Sequence, residues 1–376
     1  MKKKMKIGFV VDDTLDKTDG VQQYVLTLGK WLSENGHEIH FLVGETKRTD
    51  LNNIHSLSRN FKVRFNKNRL SIPLPANTKK LKNLLLKEGF DIIHIQMPYS
   101  PWLAGKIIKQ VPQSTAVIGT FHILPYGRLE KLATRLLGAY SKKTLQRFDQ
   151  VLSVSLAAQK FCLATYKTNS LVLPNTVATR TFRATPQASN KFRIVYLNRL
   201  VPRKGCAKLI EAVKYLPAEM LAEIEVIIIG KGPLRQKLEA MAKGLPVKFL
   251  GFVEESLKPR LLASADIAVF PSLGGESFGI VLIEAMAAGA GVVIGGNNAG
   301  YKTVLDPVPE TLFNPNKSSE FTKLLRRLWS DEKLRQEIHK QQKQIVKQYD
   351  VEVVGSKLLN IYAEVIDKKG QSKDND

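Results

Sequence analysis

Residues 267–296 read IAVFPSLGGESFGIVLIEAMAAGAGVVIGG, and the order of patterns in this stretch decides the fold class. IAVFPS suits a buried strand, a glycine-rich loop follows it, a helix opens near Gly279, and GVVIGG reads as the next strand. Unpaired backbone N–H groups at the start of such a helix point toward the strand end, a geometry that suits a diphosphate. Glu276 lies on the loop and Glu284 about two helical turns later. Neither is needed for a core. Glu276 is placed to reach hydroxyls beside phosphates, and Glu284 to accept hydrogen bonds from ribose hydroxyls. The plain alternatives are a turn acid and a solvated helix acid.

Working outward, the same alternation recurs. FRIVYLN, a helix over 207–215, EVIIIG, a helix over 233–243 and VKFLG precede the decisive stretch. Further upstream come IGFVV, a helix over 21–34, IHFLV, a helix over 79–87, DIIHI and TAVIGTF. Strands alternating with helices predict parallel, doubly wound sheets. A polar, weakly periodic stretch near 178–190 separates the two series, and 376 residues exceed what one core usually organises. The expected architecture is α/β, with two Rossmann-like doubly wound domains facing a central cleft, over 1–182 and 183–348. Apolar residues at helical spacing from Val351 to Val365 predict a terminal helix, 349–366, returning to the first domain; 367–376 is a polar tail.

The chain is 44% apolar and 24% charged, the composition of a folded protein. Its formal charge is +23, from 57 basic and 34 acidic residues, and residues 51–180 hold 20 Lys or Arg against 4 Asp or Glu. That excess predicts an anionic partner: nucleic acid, anionic lipid or a phosphorylated substrate. No helix-turn-helix, zinc-finger or aromatic RNA-binding signature accompanies it, so nucleic acid is disfavoured. The opening MKKKMKIGFVVDD is expected to be a first strand and not a signal peptide, because its apolar run stops at Asp12. No run of about 18 apolar residues occurs, so membrane contact is expected to be peripheral. Cys162 and Cys206 lack metal-ligand spacing and suit plain packing in a reducing cytoplasm.

Lys79, Lys80, Lys82 and Lys87, interleaved with Leu81, Leu84, Leu85 and Leu86, predict an amphipathic cationic helix able to lie on anionic lipid. RLEKLATRLLGAYSKKTLQRF, from 128, adds a second basic, apolar stretch. An ordinary solvated helix is the alternative for each. In YLNRLVPRKG, after a strand, Arg199 and Lys204 offer a planar fork and a compact ammonium suited to phosphate oxygens, although basic residues in such places commonly just face solvent. Gly20 permits close backbone approach at the start of a helix. His122 would stand at the carboxyl end of its strand, the usual ligand side. His94, inside DIIHIQ, reads as a satisfied core histidine.

Taken in order, these segments resemble the retaining GT-B glycosyltransferases, in particular the phosphatidylinositol mannosyltransferases that use GDP-mannose. GGESFGIVLIEAMAAG carries the resemblance, supported by GVQ at 20–22, GTFH at 119–122, FVEESLK at 252–258 and QYDVEVV at 348–354. The resemblance implies Gly20 and Gln22 near the diphosphate and acceptor, His122 beside the transferred sugar, and Arg199 with Lys204 on the phosphates. It implies Glu276 on the sugar, Glu284 on the ribose, and Glu255 with Lys258 at the base, with Ser277, Phe278, Gly279 and Ile280 completing the donor loop. No metal and no tightly bound cofactor are expected; GDP-mannose, or a UDP-sugar, is the donor. The acceptor is a lipid or glycan at the inner face of the cell membrane. Departures fall at Asp19, at Tyr24 and at ILPYG after GTFH, all on the acceptor side, and at Glu254 and Glu255, where aspartates are usual.

Overall fold

The computed structural model describes residues 4–17, 19–65, 68–73 and 76–371. Two compact units divide the chain: Met1–Asn175 with Val351–Asp376, and Thr176–Asp350.

The first unit carries β1 (Lys6–Val11), β2 (Glu38–Val43), β3 (Ile54–Ser56), β4 (Asn60–Phe65), β5 (Asn68–Pro73), β6 (Ile92–Ile95), β7 (Ala116–Phe121), β8 (Gln150–Ser153) and β9 (Leu171–Val172). Seven of them form a sheet in the order β3-β2-β1-β6-β7-β8-β9, with every pairing parallel. Helices cover both faces of such a sheet, which is why its central strands are near-continuous apolar runs. β4 and β5 stand apart as an antiparallel hairpin, an element that the alternation of strands and helices does not announce.

Among the helices, α1 (Gly20–Glu34) buries Tyr24, Val25, Leu28, Trp31 and Leu32 at helical spacing. α2 (Thr78–Glu88) starts where the Asn77 side chain accepts the N–H groups of Lys79 and Lys80. Its leucines do not share one face. Leu81 and Leu85 enter a core with Val10, Ile93 and Ile107, and Leu84 packs at its rim, whereas Leu86 is 59% exposed. Lys79, Lys80, Lys82 and Lys87 are all exposed. α3 (Leu103–Gln110) follows β6.

The C-terminal helix Val351–Gln371 packs in this unit. Its Tyr362 hydroxyl lies 2.6 Å from His94 Nδ1, while Thr120 Oγ1 lies 2.7 Å from Nε2. His94 is thus a fully buried core histidine with a partner on each nitrogen.

The second unit carries β10 (Phe192–Leu197), β11 (Ile224–Ile229), β12 (Val247–Gly251), β13 (Ile267–Phe270), β14 (Val292–Gly296) and β15 (Leu312–Phe313), in the all-parallel order β12-β11-β10-β13-β14-β15. The chain winds outward from β10 to β12, then returns beside β10 and winds the other way. The carboxyl ends of β10 and β13 therefore flank a topological switch point, where ligands of doubly wound sheets bind. Cys162 and Cys206 are buried free thiols, each within its own unit.

Candidate active site

Two loops meet at the switch point of the second unit. The first follows β10 and carries Arg199, Arg203 and Lys204; the second follows β13 and carries Ser272 and Glu276. They are stitched together by Leu273 N–H donating to Arg203 O at 2.8 Å, and the Ser272 Oγ lies 3.1 Å from the same carbonyl. Gly205 allows this approach. It holds φ +70°, and a Cβ there would stand 1.8 Å from Pro271 O.

Within the junction, Lys204 Nζ donates to Glu276 Oε1 at 2.7 Å, Arg203 Nη1 at 3.1 Å and Ser272 Oγ at 2.6 Å. Lys204 and Glu276 are both more than nine-tenths buried. Burial opposes ionisation of Glu276, but Lys204 and Arg203 together outweigh it and hold the carboxyl below its ordinary range. Burial likewise pulls Lys204 down, against the attraction of Glu276, with Arg203 and Arg199 adding to the burial. Lys204 and Arg203 thus flank one carboxylate, with the exposed Arg199 acting on Lys204, an excess of positive charge that suits phosphate oxygens.

The glycine-rich loop ends at Gly279, with φ +110°, and the helix Ile280–Ala288 begins there. A Cβ at Gly279 would meet the Tyr301 ring at 2.6 Å. The first backbone N–H groups of that helix face the loop because no earlier turn exists to take them. The Phe278 side chain turns inward, buried with its ring edge-on to Tyr349 at 5.3 Å, so it offers a ligand backbone only. Ser277 and Ile280 are half-buried on either side.

A second group forms on the same unit. Lys258 Nζ lies 2.8 Å from Glu255 Oε2 and 3.9 Å from Glu284 Oε1. Burial raises the Glu284 pKa above its ordinary value, with Lys258 opposing and Glu255 adding to it. Glu254 is exposed.

The expected acceptor-side residues lie in the first unit. His122 Nε2 is 2.9 Å from Gln96 Oε1, and the Tyr24 ring stands edge-on to the imidazole at 5.1 Å. Burial lowers the His122 pKa to about 3, so its ring is neutral at pH 7. Tyr24 is fully buried and supports the His122 ring from behind. Gln22 is also buried and donates its side-chain amide to Thr14 O at 3.1 Å. Gly20 is exposed at the first position of α1.

Thus Lys204 and Glu276 come together directly, Glu255, Lys258 and Glu284 form a second set, and His122 stands with Tyr24. Arg199 is exposed, and it is Arg203 that reaches Glu276. Arg203, Ser272 and Gln96 escaped the sequence reading. For Arg203 the signal was its place beside Lys204 in VPRKG; Ser272 and Gln96 carried none.

The chain is a glycosyltransferase with the GT-B fold. Residues 178–345 match the family profile for Glycosyl transferases group 1, and residues 18–181 that for Glycosyltransferase Family 4. The chain is 29% identical over 372 residues to the phosphatidyl-myo-inositol mannosyltransferase of Mycolicibacterium smegmatis, covering 96% of this chain and 94% of that one. It is 27% identical over 373 residues to the enzyme of the same name from Mycobacterium leprae, covering 96% and 97%. Among solved structures it resembles Anabaena HepE in complex with UDP-glucose, with TM-score 0.74, 19% identity, and 96% and 100% of the two chains covered. That last likeness bears on the fold alone.

Proposed function

We propose that this glycosyltransferase moves a hexose, mannose from GDP-mannose, to a lipid-linked acceptor of the phosphatidylinositol type, with retention of anomeric configuration. The observation that carries the reading is near full-length similarity to phosphatidyl-myo-inositol mannosyltransferases, together with the Lys204–Glu276 junction at the second unit's switch point. In this reading Lys204 and Arg199, with Arg203 beside them, take the diphosphate and stabilise it as it leaves. Glu276 exchanges part of its ion pairing for a sugar hydroxyl, and Glu284 accepts from the ribose. The leaving phosphate takes the acceptor proton on the same face. The cations supply charge stabilisation that a metal supplies elsewhere, so transfer proceeds in chelator.

The acceptor is met at the cytoplasmic membrane surface. No helix of the described residues is long and apolar enough to cross a membrane. The exposed lysines of α2 support an electrostatic attachment instead, and burial of Leu81 and Leu85 removes them from any insertion into lipid.

A UDP-sugar donor is the second reading, because a fold of this kind is also found in a protein solved in complex with UDP-glucose and does not by itself select the base. Thermal-shift titration with GDP, UDP and ADP, then transfer assays with the matching sugars and phosphatidylinositol, separates the two. Selective stabilisation by GDP and transfer of mannose in the presence of chelator are expected. Selective stabilisation by UDP overturns the donor assignment.

A further inference from the structure

Away from either switch point, two histidines and a carboxylate converge on the β2–β3 side of the first unit. His40 stands in β2, His55 in β3, and Glu88 is the last residue of α2. One ligand atom from each lies within 4.8 Å of the others. His40 is buried, whereas His55 and Glu88 are half-buried, so the cluster has a framework side and a solvent side.

The bonding around His40 determines what the cluster presents. Its Nε2 lies 3.0 Å from Glu38 Oε1, and a carboxylate only accepts, so Nε2 carries the proton. The neutral ring then has a bare Nδ1, and that atom faces His55 Nε2 at 2.9 Å. The two rings lie 5.1 Å apart at an interplanar angle of 7°, an edge-to-edge arrangement in which the nitrogens aim at each other. One proton on His55 satisfies both in the metal-free protein. A tetrahedral ion with bonds of about 2.0–2.1 Å to each nitrogen needs them about 3.3 Å apart, so the two rings must separate and tilt toward a common point. Glu38, which fixes the His40 tautomer, plays the part of the carboxylate that orients a metal-binding histidine.

We propose that His40, His55 and Glu88 form a site for a zinc-class divalent cation that pins the end of α2 to β2 and β3. Nitrogen donors favour Zn²⁺, Co²⁺ or Ni²⁺ over Mg²⁺. On binding, the ion takes the place of the proton on His55 Nε2; that proton leaves to solvent while solvent protonates Nδ1, so the neutral ring changes tautomer with no net proton released, and Glu88 turns a carboxylate oxygen to the ion. Lys6 competes for Glu88, with Nζ 3.2 Å from Oε2, but it also holds Glu38 at 2.8 Å and stays there when Glu88 turns. The site shares no residue with the transfer machinery, so it stands whether or not the donor assignment does.

The test uses untagged, full-length protein stripped with chelator. Calorimetric titration with ZnCl₂ is expected to give one site, with MgCl₂ giving none at the same concentrations. Co²⁺ is expected to produce the visible absorption of a low-symmetry site, bleached by added Zn²⁺. His55→Ala and Glu88→Gln should each weaken Zn²⁺ binding by at least about tenfold. Because His55 and Glu88 lie at the edge of the unit, both variants should fold, and the Co²⁺ spectrum of the unaltered protein gives a readout independent of either. Zn²⁺ binding no tighter than millimolar would leave the pair as a shared-proton contact only and overturn the proposal. Equal binding by both variants would overturn it too, placing the ion elsewhere.

Discussion

At the switch point of the first unit, the loops after β1 and β6 close on an acid with no cation bonded to it among the described residues: the Asp12 carboxylate accepts the Ser100 hydroxyl and, at 2.7 Å, the N–H of Ala104. At that of the second unit, the loops after β10 and β13 close on Glu276, which accepts from Lys204, Arg203 and Ser272. Both acids are deeply buried, yet they move in opposite directions. Burial pushes Asp12 up to about 6, against its hydrogen bonds, whereas the two cations bring Glu276 below its ordinary value in spite of burial. Topology sets the crevice, and the cations set its charge. A crevice with an excess of fixed positive charge suits an anionic ligand, while the first unit offers neutral groups such as His122.

The largest effect is expected from removing the cation at the centre of that contrast. Lys204→Ala leaves Glu276 with Arg203 and Ser272, which keeps the junction paired. Turnover at saturating donor should fall by about 10²–10³ while far-ultraviolet circular dichroism is unchanged. A near-normal kcat would show that the charge difference between the units has no bearing on transfer.

The neutral side of the contrast can be sharpened through pH. Because Asp12 is raised from 3.8 to about 6, the native state keeps its proton where the unfolded chain has released it. Its stabilising contribution is full below about pH 4 and is lost as pH rises through 6. In Asp12→Asn the amide carbonyl accepts from Ala104 and the amide nitrogen donates to Ser100, with no charge to bury. Relative to the unaltered protein, the variant should therefore gain up to about 3 kcal/mol between pH 4 and pH 7. Unfolding temperatures of both proteins across this range measure it, and a constant difference between them would place the Asp12 titration elsewhere.

A smaller effect is expected outside both crevices. Replacing Lys79, Lys80 and Lys82 together by Ser removes exposed charges each worth up to about 1 kcal/mol near anionic lipid, less at physiological salt. Sedimentation with anionic liposomes should weaken by about tenfold in moderate salt while nucleotide affinity stays unchanged. Attachment insensitive to both salt and these substitutions would move the membrane contact to other residues, with exposed Leu86 a candidate for apolar contact.

Much of the fold was legible because parallel strands must be apolar on both faces and helices on one, so IGFVV, DIIHI and IAVFPS announce themselves locally. The β4–β5 hairpin stayed hidden, since neither strand belongs to a central, doubly covered sheet. Four leucines in α2 read as one stripe, but Leu86 sits about 100° round the helix from Leu85, and only packing shows which arc faces the core.

By itself, the sequence determined the glycine-rich turn before Ile280, the alternation of strands and helices, and the presence of Lys204, Glu276 and Glu284 near strand ends and a helix. Only the tertiary structure decided their company. Lys204 and Glu276 are 72 residues apart, and Arg203 reaches the same oxygen across 73. They meet because β13 pairs with β10 and not with β12, the strand before it in the chain. In the same way His40 meets His55 and Glu88 because β3 adds beside β2 and α2 ends against that edge. Local spacing fixes which residues a strand end or helix presents; the crossover between strands fixes which of them share a crevice.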